Sequence, residues 1–184
     1  LGYSACSVLM RALFFSLFMV ATNPVLFDFK SNDSLSKWIV VNDGVMGGLS
    51  KGKLIRTPEG YGKFTGNVSL ANNGGFTSIR CNLPKTAASG TSKITFRIKG
   101  DGKDYQFRVR HHPMGYQSYI YDFSTTGEWQ TIEFSMNEMY PERHGRRLNI
   151  PNFDKLAICE FTFLIANKRN EDFELLIDRV HLTN

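Results

Sequence analysis

The chain has few of the residues that build metal sites and disulfide frameworks. Its 184 residues include three cysteines, Cys6, Cys81 and Cys159, and four histidines, and none of them follows a CxxC or Cys/His spacing. We therefore expect no metal site and no cofactor. Cys81 and Cys159 each lie in a strand-like apolar run, which favours buried free thiols. A disulfide between them is the alternative if the protein is exported.

Long apolar runs are also missing. The run from Ala12 to Ala21 is interrupted by Ser16 and, at about ten residues, is too short for a comfortable membrane span of roughly 20. With Arg11 before it, the run resembles a short signal peptide. We assign residues 1–23 to a signal-like or targeting segment, and Met10 is a candidate for the true start.

This segment predicts an exported, periplasmic or membrane-associated protein. The alternatives are an uncleaved interfacial anchor and, in a eukaryote, mitochondrial targeting. Residues 24–184 are expected to form a single domain, because a chain of about 160 residues is suited to one core.

The sequence also lacks the residue patterns that are typical of a catalytic site. The hydroxyl residues lack a nucleophile-elbow context. His111 and His112 are adjacent on an expected strand, where neighbouring side chains point to opposite faces. No spacing indicates two carboxylates that face each other across a cleft, as glycoside hydrolysis requires. We therefore expect a protein that is not an enzyme.

The composition favours an all-β fold. Aromatic residues make up 13% of the chain, with 15 Phe, and there are 16 Gly. Short apolar runs separated by Gly-, Asn- and Pro-rich turns predict ten or so strands and no long helix, a pattern typical of a jelly-roll β-sandwich. The formal charge of +5 favours anionic partners. No nucleic-acid motif accompanies that charge, so we expect no nucleic-acid partner.

Two tight turns are predicted to organise hairpins. Asn73-Gly74 is typical of a two-residue turn, which would place Val68 opposite Ile79. Asp101-Gly102 would likewise place Arg97 opposite Gln106. In that register, one face of the second hairpin is apolar and the other is a cationic row. The cations of this row are Lys93, Arg97, Lys99, Arg108 and Arg110. This row is either a solvated outer face or a surface that receives an acidic protein or an anion, and it is the candidate surface for a protein partner.

Other candidate residues lie outside that row. Asp43 stands in a glycine-rich loop, Val41–Ser50, and we predict that its carboxylate accepts backbone N–H groups, with Met46 plugging the core. The alternative is that this loop, with Asn72, binds a ligand. Trp129 is expected either to cap the sandwich edge or to offer a stacking platform for a sugar. The remaining candidates are Arg80 and, in a charged loop able to contact an acidic protein or lipid headgroups, Arg143 and Arg146.

Several motifs occur together in one order along the chain. They are Trp38 with Asn42-Asp43-Gly44-Val45-Met46-Gly47-Gly48-Leu49-Ser50, Phe64-Thr65-Gly66-Asn67-Val68-Ser69-Leu70, Asn72-Asn73-Gly74-Gly75-Phe76-Thr77-Ser78-Ile79-Arg80, Gly100-Asp101-Gly102-Lys103 with Tyr105, Gly127-Glu128-Trp129-Gln130, and Arg143 with Gly145-Arg146. In these motifs the chain resembles the complex I intermediate-associated protein family. The resemblance implies a galactose-binding-like β-sandwich and a non-catalytic role in assembling the respiratory NADH:ubiquinone oxidoreductase in mitochondria.

Two functions therefore stay open. The first is a protein-binding assembly factor or chaperone, whose partners the resemblance implies to be respiratory-complex subunits. The second is a carbohydrate- or small-ligand-binding module of an exported protein. Peripheral membrane association is compatible with either.

Overall fold

The computed structural model describes residues 24–31, 35–88 and 91–184. The signal-like segment 1–23 and the side chain of Met46 lie outside this description, so the expectations about them stay predictions. Within the described ranges, no helix combines the length and the hydropathy that crossing a bilayer would require.

Strands dominate the described residues, and the helices are single 3₁₀ turns. The strands are β1 (Val25–Asp28), β2 (Trp38–Asn42), β3 (Lys51–Arg56), β4 (Gly62–Val68), β5 (Thr77–Ala87), β6 (Lys93–Lys99), β7 (Asp104–Arg110), β8 (Ser118–Ser124), β9 (Trp129–Ser135), β10 (Tyr140–Arg143), β11 (Arg146–Arg147), β12 (Ala157–Ile165) and β13 (Glu171–Thr183). The 3₁₀ turns are Leu35–Lys37, Asp43–Met46, Ala71–Asn73 and Met136–Glu138.

These strands form two antiparallel sheets. The six-stranded sheet has the order β3-β4-β13-β6-β9, and β1 pairs with the last part of β13. The seven-stranded sheet has the order β11-β10-β8-β7-β12-β5-β2. Their inner faces pack through aromatic rings: Phe96 of one sheet stacks on Phe107 of the other, with ring centroids 5.0 Å apart. The predicted all-β, galactose-binding-like jelly-roll sandwich is confirmed.

Alternation along each strand explains which side chains are inside. In β7, Tyr105, Phe107 and Val109 are buried, while Gln106 and Arg108 between them point outward. This follows from the pleat, which sends successive side chains to opposite faces. The long side chains of the core are mostly aromatic and β-branched, which suits a sheet interior.

Both predicted hairpins are wrong. β4 pairs with β3 and β13, whereas β5 pairs with β2 and β12 in the other sheet. β6 pairs with β13 and β9, and β7 with β12 and β8. Each turn is therefore a crossover between sheets. Two strands that face each other across a core have the same inward and outward pattern as two neighbours in one sheet, so alternation could not tell the two arrangements apart.

The two crossovers carry their own stabilising contacts. In the first, Asn72 and Asn73 have left-handed φ angles of 55° and 60°, which asparagine tolerates better than most residues. In the second, the Asp101 carboxylate accepts hydrogen bonds from the Tyr105 hydroxyl at 2.9 Å and from the backbone N–H of Glu174 at 2.9 Å. The turn residues thus join two layers of the sandwich.

The structure distinguishes between two buried thiols and a disulfide at Cys81 and Cys159. Cys81 and Cys159 are both buried, and no disulfide joins them. Cys81 pairs in register with Phe161, not with Cys159, and its side chain points into the core. The alternative disulfide between these two residues is not formed.

Candidate functional site

The outer face of the seven-stranded sheet brings three of the predicted cations together. A row of directly paired residues crosses five strands: Arg80 on β5, Thr162 on β12, Arg108 on β7, Ile120 on β8 and Tyr140 on β10. Arg110 lies two residues further along β7, on the same face, and pairs with Glu160 on β12. We call this surface, centred on Arg80, Arg108 and Arg110, the arginine face.

A polar network holds the middle of the arginine face. Asp122 accepts a hydrogen bond from Gln106 Nε2 at 2.8 Å and another from the Tyr140 hydroxyl at 2.8 Å. Gln106 Oε1 in turn accepts from Arg108 Nε at 3.0 Å. Burial raises the pKa of Tyr140, and the nearby Asp122 carboxylate raises it further, so this hydroxyl remains a donor at neutral pH.

Arg108 is held in a partly desolvated position. Its guanidinium lies 3.2 Å from Glu142 Oε1, and the two side chains are 22% and 11% exposed. Burial lowers the pKa of Arg108, and the Glu142 carboxylate opposes that shift. Glu142 Oε1 accepts no well-directed hydrogen bond from the described residues, so the pair is electrostatic more than hydrogen-bonded.

The two other arginines of this face differ in how they are satisfied. Arg110 donates to the carbonyl of Gly115 and lies 3.9 Å from Glu160, while its Nε has no partner among the described residues. Arg80 forms no side-chain hydrogen bond and no ion pair within residues 24–31, 35–88 and 91–184. It lies opposite Ile39, which is 50% exposed. Arg80 and Ile39 thus form an open cationic and apolar patch.

Arg97 and Trp129 do not lie on this face, which corrects the predicted single cationic row. They lie on the outer face of the six-stranded sheet, where the Arg97 guanidinium sits 4.3 Å from the centroid of the Trp129 ring. Arg97 also contacts Asp178 at 2.9 Å, and Tyr61 packs on Trp129 with centroids 4.6 Å apart. The split follows from the crossover at Asp101, because β6 and β7 belong to different sheets.

Arg143 and Arg146 lie beyond the arginine face, at one end of the same sheet. They pair directly across β10 and β11, joined by His144 and Gly145, so the predicted charged loop is a short hairpin. Both arginines are exposed, and Arg143 lies 4.8 Å from the centroid of the Tyr116 ring.

Asp43 lies at the opposite end, in the arrangement predicted for it. Its carboxylate accepts hydrogen bonds from the Ser50 backbone at 3.0 Å, the Ser50 hydroxyl at 2.5 Å and the Gly75 backbone at 2.7 Å. Phe76 N–H contributes a longer bond of 3.4 Å. Because Asp43 is only 2% exposed, its carboxylate is a structural acceptor that ties the two glycine-rich segments together. Asn72 is exposed on the second of these segments.

The glycines around Asp43 have a steric reason. A side chain at Gly48 would place its Cβ against the Asp43 carboxylate, and one at Gly74 would meet the same group. Gly47 has φ +84°, a region that favours glycine. The sequence signature centred on Asp43 is therefore architectural.

Sequence reasoning missed four residues of the network. Tyr140 and Glu142 belong to the charge-rich run 140–147, which is predicted to be a loop, yet they lie in strand β10, between β8 and β11. Gln106 and Asp122 alternate with aromatic residues that face the core on β7 and β8, and this alternation places both side chains on the outer face. The sequence pattern could not show that β7 and β8 are neighbours in the same sheet.

The other surfaces are weaker candidates for a binding site. An open depression of about 680 Å³ lies over β3, β4 and β13, but two of its lysines are already paired, Lys63 with Glu174 at 2.5 Å and Lys103 with Asp101 at 2.6 Å. Within the part of the chain that the structure describes, no three His, Cys, Asp or Glu side chains are placed to hold a metal ion.

Known proteins similar to this chain fall into two kinds. The family model described as Complex I intermediate-associated protein 30 matches residues 27–177. The mitochondrial Complex I intermediate-associated protein 30 of Drosophila melanogaster is 26% identical over 193 residues, covering 90% of this chain and 64% of that protein. The Mus musculus protein of the same name is 24% identical over 179 residues, covering 84% of this chain and 54% of that protein. The chain thus spans less than two thirds of each relative.

The solved structures include carbohydrate-binding modules. A family 11 carbohydrate-binding module from Clostridium thermocellum, in complex with a β-1,3-1,4-mixed-linked tetrasaccharide, has a TM-score of 0.66 at 20% identity. The match covers 88% of this chain and 95% of that module. At this identity, the likeness shows a shared fold. Because the family model matches most of the chain, the protein belongs to the Complex I intermediate-associated protein 30 family.

Proposed function

We propose that this chain is a non-catalytic, protein-binding assembly factor for respiratory complex I, mitochondrial in a eukaryote. The observation that carries the proposal is family membership over residues 27–177, nearly the whole described domain. The two relatives named above are mitochondrial proteins whose names refer to intermediates of complex I. The chain spans only part of those relatives, so the role attributed here is that of the sandwich domain.

The arginine face is our proposed partner surface. Its central side chains are held in place by one another, so little side-chain entropy is lost when a partner docks. The Arg80 guanidinium, which has no partner among the described residues, lies beside the exposed Ile39, and this pair suits a segment with an acidic and an apolar side chain. Tyr140 is less suited to stacking on a sugar, because Arg147 lies 4.8 Å from its ring centroid.

The test compares Arg80→Glu with a charge-matched control. Lys53 is exposed on the outer face of the other sheet, so Lys53→Glu makes the same charge change away from the arginine face. Each full-length variant is expressed with an affinity tag, and captured complex I assembly intermediates are quantified by mass spectrometry. We expect Arg80→Glu to reduce capture at least tenfold, equivalent to about 1.4 kcal/mol, and Lys53→Glu to leave it unchanged.

A second variant separates charge from contact. Ile39→Asp removes the apolar neighbour of Arg80 and should also reduce capture, whereas circular dichroism should show the same folded signal for all three variants. Equal capture by Arg80→Glu and wild type, with both folded, contradicts the proposed surface. Loss of capture by Lys53→Glu alone would move the surface to the six-stranded sheet.

A carbohydrate-binding role is the second candidate, favoured by the aromatic pair on the six-stranded sheet. Trp129 is partly exposed beside Tyr61, and the neighbouring Arg97 and Asp178 supply hydrogen-bonding groups. Calorimetric titration with mixed-linked glucan oligosaccharides should then give binding that Trp129→Ala abolishes. Titrations without heat for the wild-type protein would count against this role.

A further inference from the structure

We propose that the end of the sandwich opposite the Asp43 loop docks on an anionic phospholipid bilayer. This inference does not rest on Arg80, Arg108 or Arg110, the three arginines at the centre of the arginine face. We call this the basal end and define it by the described segments that meet there: 24–25, 88, 91–93, 112–117, 135–139, 143–156 and 183–184.

Backbone hydrogen bonds join these segments. Leu182 N–H donates to the carbonyl of Pro24 at 2.8 Å, and Ser92 N–H donates to the carbonyl of Thr183 at 2.9 Å. Met136 N–H donates to the carbonyl of Ser92 at 2.8 Å. On the other sheet, Ala88 N–H donates to the carbonyl of Leu156 at 2.8 Å. Phe153 N–H donates to the carbonyl of Met139 at 3.0 Å. The loops of both sheets thus close the same end of the molecule.

Large apolar side chains project from this end. Those exposed are Met114 at 86%, Leu156 at 73%, Tyr116 at 66%, Val25 at 59% and Ile150 at 44%. Single exposed apolar residues are ordinary on a protein surface. Here they come from separate loops that share one end, and they include a tyrosine, whose amphipathic ring suits a membrane interface.

Three arginines lie at the same end, without ion-pair partners among the described residues. Arg143, Arg146 and Arg147 are exposed on the β10–β11 hairpin, and Arg143 lies over the ring of Tyr116. No ion pair within the described residues involves these arginines. The nearby carboxylates are already engaged: Glu142 pairs with Arg108, Asp154 with Lys155, and Glu138 accepts from Ser135 N–H at 2.8 Å. The cations are therefore free to meet lipid phosphates.

The chain upstream points to a bilayer as the occupant. Pro24 lies at the basal end, and only Thr22 and Asn23 separate it in sequence from the apolar run that ends at Ala21. Three Cα–Cα steps of about 3.8 Å allow a separation of roughly 11 Å at most. If that run associates with a membrane, the basal end lies within reach of the same surface. An acidic protein would match the arginines but gives no role to the adjacent apolar run.

The orientation test adds one tryptophan, at one end of the molecule or the other, to the two that the full-length protein contains, Trp38 and Trp129. Leu156→Trp reports on the basal end, and Val45→Trp, at a site 99% exposed in the Asp43 loop, is the matched control. Fluorescence is measured with vesicles of phosphatidylcholine and phosphatidylglycerol that carry brominated acyl chains. We expect vesicles to quench the added fluorescence of Leu156→Trp and not that of Val45→Trp. Equal quenching at both ends, or none at position 156, overturns the proposal.

The charge test removes the hairpin cations. The triple substitution Arg143→Gln, Arg146→Gln and Arg147→Gln should lower vesicle affinity at least tenfold and reduce its salt dependence. A triple substitution on the outer face of the six-stranded sheet is the control: Lys51→Gln, Lys53→Gln and Lys99→Gln, which remove three cations without ion pairs among the described residues, should have little effect on vesicle affinity. If the arginine variant binds as wild type does, the upstream run alone tethers the protein and the basal end is not a docking surface. Binding to polyglutamate without binding to vesicles would instead indicate an acidic protein and also overturns the proposal.

Discussion

Replacing Asp43 with asparagine tests the structural role of the glycine-rich loop directly. In the native protein, one carboxylate oxygen accepts from the Ser50 backbone, and the other accepts from the Ser50 hydroxyl and from Gly75 N–H. An asparagine of the same shape has one acceptor oxygen and one NH₂ group. Whichever way the amide is turned, its NH₂ faces at least one backbone N–H at this 2% exposed site. One buried donor therefore loses its acceptor.

The size of the effect can be worked from those contacts. A hydrogen bond to a charged group contributes about 1.5–3 kcal/mol, and an unsatisfied buried donor costs about 1–3 kcal/mol. We expect Asp43→Asn to lower the free energy of unfolding by about 3 kcal/mol, which corresponds to about 6–12 °C in Tm for a domain of this size. The measurement is urea and thermal denaturation followed by circular dichroism.

The pH dependence gives a second readout. Burial by itself raises the pKa of Asp43, but hydrogen bonds from Ser50, Gly75 and Phe76 outweigh it, so the pKa lies below its ordinary value. A carboxylate with a depressed folded-state pKa stabilises the protein above its unfolded pKa, about 3.9, and loses that contribution as pH falls through the folded pKa. The stability difference between wild type and Asp43→Asn should therefore be full at neutral pH and shrink below about pH 4.

Asp104→Asn is the matched control for the same substitution. Asp104 is exposed and accepts one side-chain bond, from the Ser124 hydroxyl at 2.6 Å, so its replacement should change stability by less than about 0.5 kcal/mol. The structural role of Asp43 is refuted if Asp43→Asn costs less than about 1 kcal/mol. Loss of partner or ligand binding at unchanged stability would instead make the Asp43 loop the binding site.

Two further predictions concern steric fit and buried charge. Gly48→Ala should destabilise the domain by about 1–3 kcal/mol in thermal denaturation, because the new Cβ meets the Asp43 carboxylate, whereas Gly44→Ala, with open space around it, should be nearly neutral. Comparable losses for both would contradict the steric account. Arg108→Ala should cost about 3 kcal/mol in urea denaturation, because it strands the carboxylate that faces it, while Arg80→Ala should cost under about 0.5 kcal/mol. A neutral Arg108→Ala would show that its ion pair contributes nothing.

The paired state of Arg108 also affects how partner binding is best probed. Reversing the charge of Arg108 or Arg110 would unpair Glu142 or Glu160 and disturb the fold along with the surface. Arg80 has no such partner among the described residues, so its reversal changes the surface charge with less risk to stability. It is therefore the more informative position for a binding assay.

The sequence by itself determined the fold class, the buried faces of the strands and the hydrogen bonding of Asp43 to backbone N–H groups. These are local properties: the pleat sends alternate side chains to opposite faces, and a carboxylate among glycine backbones is a natural acceptor. The outward position of Trp129 was visible in the same way. The family resemblance, carried by contiguous motifs, was likewise readable without a structure and is confirmed over residues 27–177.

Only the tertiary structure decided which strands are neighbours, and with that the composition of every surface. Asp101 turns the chain from one sheet to the other, so Arg97 and Arg108, close in sequence and alike in alternation, face away from each other across the core. Arg108 instead lies beside residues from β8 and β10, including Glu142. Strand partners are chosen by contacts between distant parts of the chain, and those contacts leave no trace in the alternation of any one strand.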